Sequence, residues 1–137
     1  MVLPTGVESI VGARELLDWF GYWPEFHDAE VIRFHLELGG PSFLQVHTWE
    51  MTNTVTAAGF YELRKHVEVE FLLNDVINVN LQDLREHSIL LSLEITRSDS
   101  GFRLDLSSAY GLCGTIEAQQ VSVRITPGKP SGTSASS

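Results

Sequence analysis

The spacing of apolar positions changes once along this chain, from a helical period to a period of two, and that change divides it. At the N-terminal end Ile10, Ala13, Leu17 and Phe20, with Leu16 beside them, recur at helical spacing and would lay one face on a core. Thr5-Gly-Val-Glu8 ahead of them matches a capping box. Gly21 suits the left-handed position after a last turn, and Pro24 stops any continuation. The spacing predicts a helix over 6–20.

From Glu30 onward the chain alternates. Ile32, Phe34, Leu36 and Leu38 face one way and Val31, Arg33, His35 and Glu37 the other, as in a half-buried strand. Gly39 to Ser42 reads as a turn and Phe43 to Met51 as the antiparallel return. Thr52 to Gly59 reads as a polar loop. The strongest alternation follows, with Tyr61, Leu63, Lys65, Val67, Val69, Phe71 and Leu73 on one face and charged residues between them. Asn74-Asp75 closes that strand, and Val76–Leu81 forms a short one. Ile89–Thr96 and Phe102–Ser107 flank a hairpin turn at Ser98-Asp99-Ser100-Gly101. Thr115–Ala118 and Gln120–Ile125 finish the sheet. The expected class is α+β: one N-terminal helix packed on a curved, mostly antiparallel sheet of about eight strands, with an open β-sandwich as the alternative. Residues 1–128 are expected to form a single globular domain and 129–137 a disordered tail, since nothing apolar enough to pack follows Pro127.

At 137 residues, 43% hydrophobic and 20% charged, the chain can bury a core without a disulfide or structural metal. The single cysteine, Cys113, fits a reducing compartment. No apolar run approaches the roughly 20 residues of a membrane span, and no export signal is visible, so cytoplasmic residence and no membrane partner are expected. The net charge of −9 argues against a nucleic-acid partner, whose phosphates demand a basic footprint. It suits solubility or, more sharply, a basic protein partner.

Unusual chemistry concentrates in Tyr22-Trp23-Pro24-Glu25-Phe26-His27-Asp28-Ala29-Glu30-Val31, between helix and strand. His27, Asp28 and Glu30 could bind a divalent metal or form an acid–base pair, with His35 and His47 as further ligands from strands expected to pair. Against this, adjacent side chains at 27 and 28 should diverge. The simpler reading is structural, with Asp28 and His27 satisfying backbone groups in the turn. Trp19, Phe20, Tyr22, Trp23 and Phe26 suit either a core or an interface, and Trp23 is the one expected to reach the surface. The small-residue run Ser107–Gly114 lacks the helix and lysine of a phosphate loop. No nucleophile setting such as Gly-x-Ser-x-Gly is present, so no catalytic residue is assigned.

The run Trp23-Pro24-Glu25-Phe26-His27-Asp28-Ala29-Glu30-Val31 resembles the signature of small bacterial proteins grouped as the immunity protein 50 family. Trp49, the His66–Phe71 strand and Ser108-Ala109-Tyr110-Gly111 are compatible with that resemblance over about residues 10–127. It implies a cytoplasmic, non-enzymatic protein that binds and neutralises a cognate protein toxin, without a cofactor. The interface is then expected on the acidic, aromatic stretch: Asp18, Trp19, Trp23, Glu25, Asp28 and Glu30. The rival expectation is a small metal-dependent enzyme or ligand-binding domain using His27, Asp28 and Glu30. An exposed edge strand would also allow a two-fold homodimer.

Overall fold

A computed structural model describes residues 6–130. One helix, α1 (Ala13–Phe20), precedes six strands: β1 (Glu30–His35), β2 (Ser42–Val55), β3 (Tyr61–Gln82), β4 (Ile89–Ser98), β5 (Gly101–Tyr110) and β6 (Cys113–Pro127). The strands form an antiparallel sheet in the order β1-β2-β3-β6-β5-β4, closed into a barrel by contact between β1 and β4. The expected helix-on-curved-sheet class therefore holds, and closure excludes the open sandwich. The described residues contain no helix long and apolar enough to cross a membrane.

Six strands replace the expected eight or so because two apparent strand ends are bends within continuous strands. Asp75 adopts φ 56°, and the β3–β6 register slips between Val76 and Asn78, so a bulge bends β3 without ending it. The segments read as Thr115–Ala118 and Gln120–Ile125 are likewise one strand, β6, paired along most of β3. The first half of the expected loop Thr52–Gly59 is also strand, since β2 runs to Val55. β2 and β3 run on together as a hairpin arm whose tip is closed by Thr56 N–H donating to Phe60 O at 2.6 Å.

The helix is shorter than the 6–20 expected. Gly12 has φ 89°, a left-handed conformation that no continuous right-handed helix passes through, so residues 6–10 form turns instead. Gly12 is required there twice over, since a Cβ would sit 1.7 Å from Val123 O. Val11 bridges Ser122 at the same crossing and ties the chain to β6. Of the expected capping box, Thr5 lies outside the described residues, and the Glu8 carboxylate accepts from Gly6 N–H at 2.8 Å. The C-terminal end is as expected: Gly21, at φ 84°, donates its N–H to Leu17 O at 2.7 Å. Of the tail expected over 129–137, exposed Lys129 and buried Pro130 are described and the rest is not.

Alternation decides which side of each strand enters the barrel. Leu44 and Val46 of β2, Val67, Val69, Phe71 and Leu73 of β3, and Ile116 and Ala118 of β6 are buried in one core cluster. Ala13, Leu16 and Phe20 of α1 belong to the same cluster, so the helix packs into the barrel's apolar interior. β1 departs from strict alternation. Its register against β2 slips between Val31 and Arg33, and it ends at His35, leaving Leu36 and Leu38 exposed.

Candidate functional site

Residues 22–31 make the seam of the barrel. Phe26 and Asp28 both take left-handed φ, 63° and 67°. For aspartate this conformation is tolerated; for phenylalanine it needs support from the surrounding structure. Here Phe26 is 2% exposed and meets the Phe71 ring edge-on at 5.6 Å between centroids. The two left-handed residues turn the chain away from β2 and onto β4. Asp28 N–H donates to Leu90 O, Leu90 N–H to Ala29 O, and Val31 N–H to Ser88 O, each at 2.9 Å; Leu93 N–H donates to Glu25 O at 3.3 Å. Ala29 is fully buried, and a larger side chain there would have to displace the core.

The candidate residues fall into separate places. His27 Nδ1 and Asp28 Oδ2 lie 3.2 Å apart at the surface. The expectation that these neighbours diverge is thus overturned, because the left-handed backbone at Asp28 breaks the alternation that would separate them. The expected capping of backbone donors by the Asp28 side chain is replaced by this pairing with His27. Glu30 turns elsewhere, to His47 Nδ1 at 2.8 Å. No three His, Cys, Asp or Glu side chains among the described residues are grouped to hold a metal ion. His35 and His47 do lie on paired strands, but the register sets His35 opposite Phe43 and His47 opposite Glu30, at the two ends of the ladder.

His47 instead joins a chain of polar groups with a residue that sequence reasoning passed over. Its Nε2 lies 3.0 Å from Nδ1 of His66, and Trp49 packs beside both imidazoles. One proton serves the His47 Nε2–His66 Nδ1 contact, so one ring donates and the other accepts. Burial, aided by His47 and Lys129 and opposed by Glu30, lowers the His66 pKa below the ordinary histidine value. The signal for this contact was the strand pairing. β2 and β3 were expected to be antiparallel strands, but only their register, His47 opposite Glu68, sets His66 beside His47.

Trp19 and Asp18 are engaged by the fold. Trp19 Nε1–H donates to Lys65 O at 3.1 Å, where Lys65 is itself left-handed in a bulge of β3. The Lys65 ammonium returns to Phe20 O at the end of α1. Asp18 faces Arg14 one helical turn earlier at 3.6 Å. Beside them Arg64 Nε donates to Glu50 Oε1 at 2.7 Å and holds the Glu50 carboxyl below its usual range. Burial, with a hydrogen bond to Glu50, pushes the Tyr22 phenol up.

Trp23, buried Pro24 and Glu25 form the divide, or ridge, shared by two clefts. One cleft, of about 390 Å³, is lined by residues 22–28 on one wall and by Thr48, Trp49 and Met51 of β2 on the other. The second, of about 490 Å³, runs between the ridge and Ser92–Thr96 of β4. Glu25 is exposed, but the aromatic that reaches the surface is Tyr22 and not, as expected, Trp23, which is half-buried against the core cluster. The first cleft carries the carboxylates of Glu25 and Asp28, the His27 imidazole and no lysine or arginine. Chemically it suits recognition of a cationic or aromatic group. No family model matches the chain, and no significant match emerges among curated proteins or solved structures.

Proposed function

We propose that this protein is a non-enzymatic binding protein that neutralises a cognate bacterial toxin by direct contact, as the resemblance of residues 23–31 to the immunity protein 50 signature implies. The observation that carries the reading is the ridge. The segment uses Phe26 and Ala29 to close the barrel and rests one side of Trp23 on the core, yet Glu25, His27 and Asp28 reach the surface and Trp23 lines both clefts. Aromatic rings beside carboxylates in one cleft are the composition of a binding hot spot for a basic partner. The net charge of −9 favours encounter with such a partner. Trp23, Glu25 and Asp28 form its centre. Trp19 and Glu30 contribute by holding the helix end and the seam in place, and exposed Asp18 adds negative charge beside them.

The test is to co-express this chain, tagged, with the product of the gene beside its own, and to measure both co-purification and relief of toxicity. A stoichiometric complex with toxicity relieved is the expected result. A hot spot at Trp23 is worth about 2 kcal/mol or more, so Trp23→Ala should weaken the complex by about 30-fold. Glu25→Lys should weaken it further at low salt. Unchanged affinity for both variants, each folded by circular dichroism, would remove the ridge from the interface.

A further inference from the structure

The β1–β2 ladder stops at Glu30↔His47, whereas β2 continues to Val55. Beyond that point the chain of residues 22–28 has left for β4. Among the described residues no strand pairs with Thr48–Val55 on the side that β1 occupies below it. The cleft between the ridge and β2 is therefore bounded on one side by an open strand edge, with Thr48, Trp49 and Met51 on its wall. An open edge offers unpaired backbone donors and acceptors to another extended chain.

We infer that this cleft takes an extended, arginine- or lysine-bearing segment of the partner polypeptide, added as a strand to the free edge of β2 over Trp49–Asn53, past the buried Thr48. The inference rests on the binding role proposed above and specifies its mode. Charge complementarity selects the occupant. The ridge wall presents Glu25 and Asp28 with no lysine or arginine among the lining side chains; Asp28 lies beside the His27 imidazole, and Glu50 on β2 is already matched by Arg64. Tyr22, Trp23 and Trp49 line the same cleft, and aromatic rings attract a guanidinium. Five residues of added strand would span roughly 16 Å at about 3.3 Å per residue. Backbone pairing would supply register and the acidic ridge would supply preference for a basic segment.

The experiment is amide hydrogen exchange on the full chain, alone and saturated with the purified product of the neighbouring gene. It is paired with affinity measurements on a Glu25→Gln, Asp28→Asn double variant. Asparagine is chosen at 28 because it tolerates the left-handed backbone. The expected result is slowed exchange within Thr48–Val55 on binding, with the double variant at least tenfold weaker. A complex that forms without protecting Thr48–Val55 would overturn strand addition while leaving the binding role standing. So would protection with no loss in the double variant, as regards the basic occupant. Failure to form any complex would remove the binding role itself, and this inference with it.

Discussion

Phe26 offers the sharpest test of how the seam is held. Its ring is buried against Phe71 at a residue whose left-handed backbone is unfavourable for any non-glycine residue. Phe26→Ala keeps a Cβ, and so keeps most of the backbone cost, while deleting the ring. The substitution thus isolates packing from strain. Truncating a buried phenylalanine costs about 3–5 kcal/mol, the lost transfer free energy plus the cavity left behind. Against a typical domain stability of about 5–15 kcal/mol, that is a large fraction of the whole. In urea, with a slope of about 2 kcal/mol per molar, the unfolding midpoint should fall by about 2 M with the slope unchanged. His27→Ala is the matched control, because it removes the neighbouring side chain from an exposed pair worth about 0–1 kcal/mol. Phe26→Ala and His27→Ala shifting the midpoint equally would refute the claim that Phe26 anchors the seam.

Three further outcomes are expected. Gly12→Ala and Gly59→Ala both place a side chain at φ 89°, but only the first meets a backbone atom, Val123 O at 1.7 Å. Gly59→Ala should cost about 1–2 kcal/mol from the left-handed backbone. Gly12→Ala should cost about 2 kcal/mol more than that by chemical denaturation, and equal costs would mean that the crossing with β6 is not restrictive. Ser88 Oγ is buried, donates to Arg85 O at 2.6 Å and accepts from Leu112 N–H at 2.9 Å. Ser88→Ala should cost about 1–3 kcal/mol by leaving that amide unpaired, and a change within error would show that another group satisfies it. Finally, the folded state disfavours protonation of His66, so it binds fewer protons there than the unfolded chain. This contribution is complete above the unfolded value of about 6.5 and is lost as pH falls through it toward the lowered folded value. Thermal unfolding midpoints should drop across that window in the wild type and drop less in His66→Gln, and identical profiles would exclude His66 as the source.

Elements that depend on neighbours in the chain were legible in the sequence. The Ile10–Phe20 spacing and Gly21 located the helix and its end, because helical contacts span one turn and a C-terminal glycine acts locally. Alternation located the strands and the inward face of β3 over Val67–Leu73, because side-chain direction along a strand is a local property. The density of unusual residues at 22–31 marked the segment on which closure depends. Its inward residues, Phe26 and Ala29 with half-buried Trp23, and its outward ones, Glu25, His27 and Asp28, were not separable there, since left-handed residues at 26 and 28 break the period that would have sorted them. Only the tertiary structure decided that strand 61–82 bends instead of ending, that the sheet closes on itself, and that Glu30, His47 and His66 meet. Each of these turns on register between strands far apart in sequence, where a slip of one residue would turn His47 to the other face of β2. The open edge of β2 has the same origin: the sequence marks a strand, but whether it has a neighbour is settled by where another segment goes.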